Sequence, residues 1–569
     1  MALFNLIQSA LGLLQRHPAL ATVVILITYV SQLAVRRLYL SPISHIPGPK
    51  LAALTWAYEF YYDIILGGQY TFNIIDLHRE YGPIIRINPY EIHVADPDFF
   101  SEVYPGPTRP RDKWSFFTSQ FGAPDSTVAT VDHNLHRVRR AAMNPFFSMS
   151  AVRKLQPVIE ERVDALLERF KQHSRSSDEP LDLMYPYSAY TNDVICEYAF
   201  SRCNKLVEDP NYGRDTTDSL LDGTRMGNTI KHMPWLLALA NQLPESLTGR
   251  YIPGWNEFLK LKASILDQTL DIQSGTTSSK RTNLEDSRVP QHPTIFHEML
   301  SSRLLPPAEK TPQRIAQEGQ ILVQAGTMTT SWALTVGTFH LLNNPSSLKL
   351  LRDELFAALP DPSTPTPFGE LMALPYLRAV VTESIRLSVG ASSRLARISP
   401  TETLEFHDKS RGRTWRIPPG TPVGMTWYQT LCDPAVFAKP LAFRPERWLD
   451  DNHDDEGKGK HNDRYMVAFG GGTRVCLGMN VAQAELHLML AKLFRRWGGG
   501  PACGNDNNAS EADGDEKKST CKGDRRPGDL GFIRVHHETT ARDCQMAADY
   551  FTPIPWKGSK GVRVVFEAA

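Results

Sequence analysis

Apolar and polar positions fall along this chain in three ways. Ala19 to Val35 is an unbroken stretch without a charge. As a helix it reaches about 25 Å at 1.5 Å per residue, close to the ~27 Å core of an endoplasmic reticulum bilayer. It predicts a membrane anchor over residues 19–37, after a short N-terminal segment 1–18. Arg36-Arg37 follow at once, and basic flanks stay cytosolic. A cleaved signal peptide would carry its charge first and have a shorter apolar core. The second pattern is short: Ile84–Ile87 and Glu91–Val94 flank Asn88-Pro89 and predict a pair of strands, with a last strand around Arg563–Phe566. The third pattern is helical. Most of 132–350 shows it, clearly so from Val158 to Phe170. Thr311-Pro312 opens the longest helix, with Thr as N-cap and Pro at the first helical position. Its apolar run continues to about Leu342, which makes roughly thirty residues and ~45 Å. A helix so apolar in its middle crosses the core of a large domain. Met479–Phe494 is a further apolar helix.

Proline and polar stretches punctuate these elements. Ser41-Pro42 and Ile46-Pro47-Gly48-Pro49 mark a stiff hinge over 38–50, which leaves 51–569 for one folded domain. Gln273–Thr294 reads as a loop between helices. Asp450–Asp463 and Gly498–Asp529 read as surface inserts too polar to bury themselves. Asn508-Ala509-Ser510 matches a glycosylation sequon that a cytosolic loop would leave unused. The chain has 62 basic and 62 acidic side chains, so no net charge draws it to nucleic acid. Seven cysteines occur, none as a CxxC pair, which argues against a disulfide framework or a zinc ribbon.

The run Phe469-Gly470-Gly471-Gly472-Thr473-Arg474-Val475-Cys476-Leu477-Gly478 carries the strongest chemistry. Its glycines permit tight turns beside a flat ligand. Cys476 precedes the helix from Met479, where backbone dipoles and free N–H groups favour a thiolate, and Arg474 adds charge two residues away. Such a thiolate suits haem iron. The run fits F-x-x-G-x-R-x-C-x-G and resembles the cysteine-ligand motif of the cytochrome P450 family. Other motifs follow in that family's order. Glu383 and Arg386 form an E-x-x-R pair on one helical face, and Arg447 follows in Phe443-Arg444-Pro445-Glu446-Arg447-Trp448. Ala325-Gly326-Thr327-Met328-Thr329-Thr330 resembles the oxygen-binding segment, with Met328 where an acid is usual.

The resemblance implies a mainly α protein with a small β-rich region, preceded by one transmembrane helix and enclosing haem b with Cys476 as axial ligand and Phe469 opening its loop. It implies Glu383, Arg386 and Arg447 as a buried structural triad. It implies Arg394, Arg474, Arg140 and His136 at the propionates, His136 standing where Trp is usual. Gly326 gives room near the iron, and Thr329 hydrogen-bonds dioxygen. Substrate contacts are expected from 108–130, 322–329, 389–393 and 550–553, with Phe116, Phe117 and Phe121 as a greasy wall. The implied activity is monooxygenation of a lipophilic terpenoid or polyketide, as in the fungal trichodiene oxygenase group. Electrons come from NADPH through a separate cytochrome P450 reductase at the same membrane, with Arg137, Arg139, Lys439, Lys492, Arg495 and Arg496 as candidate docking residues. The alternatives are a reductase-independent isomerase or dehydratase, and a non-catalytic haem sensor.

Overall fold

The computed structural model describes residues 18–240, 242–243, 255–273, 294–362, 364, 366–449, 463–500 and 525–568. Cys503, Cys521, the sequon at Asn508 and most of the three polar inserts lie outside the described residues. Eight helices matter for the site: α1 (Pro18–Leu38), α2 (His133–Met143), α3 (Met149–Ser176), α4 (Met184–Phe200), α5 (Arg214–His232), α6 (Pro312–Leu342), α7 (Pro375–Ser388) and α8 (Met479–Arg496). The β structure is small. Ile84–Arg86 (β1) and Ile92–Val94 (β2) pair antiparallel, with Ile85 opposite His93, and belong to a five-stranded sheet. The sheet's other strands are Asp112–Lys113 (β3), Arg397–Ile398 and Pro422–Gly424.

α1 is 21 residues long with no buried residue, and it is long and apolar enough to cross a membrane. The hinge after it docks at once: Ile43 and Ile46 are buried in the small apolar cluster under the five-stranded sheet.

α6 is the spine. Thr311 caps it, its hydroxyl accepting from the Arg314 N–H at 3.4 Å, and Pro312 begins it. Its middle and C-terminal half are buried nearly all round, which explains why its apolar residues show no single stripe. α4, α7 and α8 pack around it, and all four contribute to the main core. α4 supplies Tyr187, whose hydroxyl is 2.8 Å from that of Thr338.

One boundary differs from the sequence expectation. Gly498–Gly500 is not surface insert but part of a buried strand, Trp497–Gly500, parallel to Gly531–Val535. The glycines are there for close approach: a β-carbon at Gly499 would collide with Leu342 of α6. The far edge of that insert is also tied down. Arg352 grips Asp529 with two bonds of 2.8 and 2.9 Å, both side chains buried.

Candidate active site

The cysteine loop leads into α8. Gly470 (φ +73°) and Gly472 (φ +65°) take left-handed backbone conformations that favour glycine. Their bare faces point at protein. A β-carbon at Gly470 would come within 2.9 Å of Trp427, one at Gly471 within 2.6 Å of Phe100, and one at Gly472 would strike the Pro105 carbonyl. So the glycines seat the loop against Trp427 and residues 100–105. The Cys476 N–H donates to the Phe469 carbonyl at 2.8 Å and closes it.

Cys476 lies deep within the domain, yet its side chain remains accessible. Burial pushes its thiol up; the backbone N–H groups of Gly478 and Met479 and the Arg140 cation pull it down, and burial wins. This corrects the simpler expectation of a self-ionising thiol helped by Arg474. The charge that acts on the sulfur is that of Arg140, whose Nη1 donates to the Val475 carbonyl at 2.6 Å.

Around that loop the fold collects cations. Arg474 reaches back to the Thr130 and Val131 carbonyls at 2.8 and 2.9 Å. Lys113, on β3, donates to the Val128 carbonyl. Arg397 donates to the Leu395 and Ala396 carbonyls at 3.1 and 3.2 Å. Among the described residues no carboxylate hydrogen-bonds any of these or Arg140. The repulsion is felt mutually. Burial, then Arg474, Lys113, Arg140 and Arg397, holds the His136 imidazole down to about 2. Burial and the same arginines lower Lys113 well below an ordinary lysine, and burial with Arg397 brings Arg474 down to about 9. His136 Nδ1 and Arg474 Nε are buried without a partner.

Arg394 does not join this set. Its Nε lies 3.0 Å from both oxygens of Glu91, and its Nη2 donates to Glu59 at 2.7 Å. Two buried carboxyl groups hold it: Glu59 is kept below the usual carboxylate range, while burial pushes Glu91 up to about 7; Lys231 of α5 is also 3.0 Å from Glu59. Arg397, three residues on, occupies the cationic position instead.

Behind the loop, Glu383 and Arg386 of α7 meet Arg447. Glu383 accepts from Arg386 Nε and Nη2 at 2.8 Å each, from Arg447 Nε at 3.1 Å, from Trp448 Nε1 at 2.9 Å and from the Arg444 N–H at 3.0 Å. Burial alone would raise its pKa, but these donors hold it below the usual carboxylate range.

On α6, the Thr329 hydroxyl donates to the Ala325 carbonyl at 2.8 Å. Gly326 faces elsewhere. A β-carbon there would lie 2.9 Å from Ile195 of α4, so this glycine serves helix packing and not, as expected, approach to a ligand. Met328 is buried. A carboxyl reaches the helix from α8: Glu485, which burial pushes well above the carboxylate range, takes a hydrogen bond from Thr330. Met328, Thr329 and Thr552 border two cavities, a smaller one of about 170 Å³, termed the inner cavity, and a larger one of about 730 Å³, termed the outer. Of the three phenylalanines expected in the wall, only Phe121 lines either cavity; Phe116 packs on Trp56 and Trp114, and Phe117 is in the core.

The cytochrome P450 family model matches residues 47–501. The chain belongs to the cytochrome P450 family. It is 43% identical over 538 residues, 95% of each chain, to the cytochrome P450 monooxygenase tpcC of Cochliobolus heterostrophus. It is 37% identical to the tryptophan 6-hydroxylase fscE of Fusarium equiseti, covering 96% of each chain. It is 36% identical to the N-acetyltryptophan 6-hydroxylase ivoC of Emericella nidulans, covering 98% of each. It is therefore an oxidoreductase of the P450 monooxygenase class, which uses dioxygen, a redox partner and a small-molecule substrate.

P450 proteins bind haem through a cysteine thiolate, and the residues here fit that group. Cys476 is accessible in the interior at the start of α8. Four cations and an unpartnered imidazole nitrogen await acid groups such as two propionates. A coordinated metal also removes the difficulty of the raised thiol, since a ligating thiol is deprotonated outright. Sequence reasoning missed Lys113, Arg397 and Glu485. Two of the three carry a local signal: Lys113 precedes the Trp114–Phe117 stretch, and Arg397 repeats the basic residue at Arg394 one strand-turn later. The cavity-lining face of α5 was missed as well, because no motif marks it. The expected docking cations are largely engaged: Lys492 pairs with Asp164 at 2.8 Å, Arg495 is buried on the Leu359 and Pro360 carbonyls, and Arg139 pairs with Glu309 at 2.6 Å.

Proposed function

We propose that this P450 inserts one atom of dioxygen into a lipophilic small molecule of fungal secondary metabolism, a terpenoid or polyketide. Its electrons come from NADPH through a separate NADPH–cytochrome P450 reductase, and α1 holds the catalytic domain on the cytosolic face of the endoplasmic reticulum. The observation that carries this reading is Cys476 at the head of α8, with two backbone N–H groups and Arg140 acting on its sulfur and, beside it, a cluster of cations that no described carboxylate hydrogen-bonds.

In this reading Cys476 would ligate the iron of haem b. Arg140, Arg474, Arg397, Lys113 and His136 would hold the propionates, His136 by an N–H. The haem supplies dioxygen activation and electron transfer when bound. The chain supplies position and protons. Phe469 fixes the loop through its carbonyl. The Glu383–Arg386–Arg447 triad holds the segment behind it. Thr329, whose hydroxyl bonds the Ala325 carbonyl, would relay protons from water, since Met328 offers none. Glu485, kept neutral by burial, retains a proton one residue away at Thr330.

The test is a reconstitution of the full chain with a fungal P450 reductase, NADPH and isotopically heavy dioxygen. One heavy oxygen per product molecule supports the proposal. Turnover without NADPH, or label drawn only from water, overturns it in favour of an isomerase or dehydratase.

A further inference from the structure

The inner cavity holds no charge. Of the twenty residues that line it, none is Asp, Glu, Lys, Arg or His. Its polar groups are amides and hydroxyls. Gln320 and Gln324 stand one turn apart on α6, so their carboxamides project from the same face. Gln320 is 4% exposed, and neither carboxamide makes a hydrogen bond to another described residue. Each offers two N–H donors and a carbonyl acceptor. Thr552 also presents a buried hydroxyl without a partner. Gln120 differs: it donates to the Phe117 carbonyl at 2.9 Å and is used by its own loop. Gln320 is buried and Gln324 half-buried; two carboxamides with unused donors and acceptors on one helical turn, both lining one cavity, mark a place where something hydrogen-bonds.

The walls say what shape that is. Phe121 and Phe551 meet edge to face, centroids 5.1 Å apart at 89°. α5 adds Gly223 and Gly227 to the lining; a β-carbon on Gly223 would stand 3.9 Å from the Gln324 amide nitrogen, and one on Gly227 would meet the Gln120 carbonyl at 3.3 Å. The lining thus sets two aromatic rings beside a helix that contributes little side-chain bulk. A cavity of about 150 Å³ lined by apolar side chains admits a benzene; at about 170 Å³ this one admits a single substituted ring, with the rest of a molecule extending past Met328 and Thr329 into the outer chamber.

Building on the monooxygenase reading, we infer that the substrate is a neutral aromatic compound whose leading ring bears a hydroxyl and a carbonyl about one helical turn apart, read by Gln320 and Gln324. A carboxylate or an ammonium would leave water here with no counter-charge. The carboxamides act on orientation: they choose which ring carbon faces the Thr329 side.

The probes are three naphthalenes of one shape: 4-acetyl-1-naphthol, the anion 4-hydroxy-1-naphthoate, and 1-ethylnaphthalene. Binding to the full-length haem-loaded enzyme in detergent is read by the Soret shift and, separately, by calorimetry. The acetylnaphthol is expected to bind at least tenfold more tightly than the other two. Gln320→Leu and Gln324→Leu should each weaken it five- to tenfold and leave ethylnaphthalene within twofold, which also reports that the variants are folded. If a leucine variant fails to load haem, Gln320→Asn and Gln324→Asn shorten the reach with polarity kept, and should show the same selective loss. Equal affinity for the carboxylate, or leucine variants that bind the acetylnaphthol as wild type does, would overturn the inference while leaving the monooxygenase reading intact. Calorimetric preference in protein that never shows a cysteine-ligated Soret band would do the reverse.

Discussion

Glu383→Gln is the substitution whose cost the structure states most directly. The wild-type carboxylate accepts five hydrogen bonds. Oε1 takes those from Arg386 Nη2, Arg447 Nε and the Arg444 N–H; Oε2 takes those from Arg386 Nε and Trp448 Nε1. Glutamine offers one acceptor oxygen. If that oxygen keeps the first three, its NH2 faces two other donors, and the charge that balanced two buried guanidinium groups is gone. Breaking a buried ion pair by removing one partner costs about 3–5 kcal/mol. Against a total of about 5–15 kcal/mol for a folded domain, that is a large share of the margin. Glu383→Asp keeps the charge but draws it back by one methylene, so it should lose less. Urea unfolding followed by tryptophan fluorescence, with the haem-to-protein absorbance ratio of the purified material, reads both stability and assembly. The glutamine variant is expected to unfold at markedly lower urea and to purify with little haem. A variant within about 1 kcal/mol of wild type and fully loaded would refute the reasoning, since no reading of this network as supporting the cysteine loop could then stand.

The contrast between Arg394 and Arg397 gives a paired test. Arg394→Ala takes from Glu91 the cation bonded to it and leaves Glu59 to Lys231 alone, and should cost about 3–5 kcal/mol of stability; Arg397→Ala relieves repulsion, so the fold should hold while haem passes faster to apomyoglobin. Identical behaviour of the two variants would contradict the placement of their partners. Thr329→Ala should leave stability within about 1 kcal/mol but raise NADPH consumed per product, measured with peroxide release; unchanged coupling would remove Thr329 from proton delivery. His78 is buried 2.7 Å from His93, and burial holds it down to about 4 despite the Gly82 carbonyl. Its folded pKa is depressed, so its contribution is present above the unfolded value of ~6.5 and is lost as pH falls toward 4, at about 1.4 kcal/mol per pH unit. His78→Gln should flatten the fall in urea midpoint between pH 7 and pH 5 by that slope, and an unaltered slope would show the imidazole already protonated when folded.

Much of this site is legible from local pattern. The long helix is marked by its cap, its proline and its apolar run, and Cys476 sits in ten residues that resemble the family's cysteine-ligand motif. What escapes is set by tertiary partners. Nothing in the sequence near Arg394 shows that Glu59 and Glu91, some three hundred residues earlier, will consume its charge, nor that Arg397 will be left without a carboxylate. Gly326 reads equally well as ligand clearance or helix contact until Ile195 is placed against it. Gly498–Gly500 looks like loop because its composition is that of a loop, and only the approach of Leu342 explains why a strand needs glycine there. The raised thiol of Cys476 follows the same rule: dipole and charge are local and visible, whereas burial depends on the whole fold and outweighs them.

The bond between the Cys476 sulfur and haem iron is tested most directly by the absorbance of the reduced enzyme under carbon monoxide. Wild-type protein loaded with haem should show the long-wavelength Soret band of thiolate ligation, and Cys476→Ala should lose it at once. The same band surviving that substitution, or missing from folded wild type that retains its haem, would contradict the assignment.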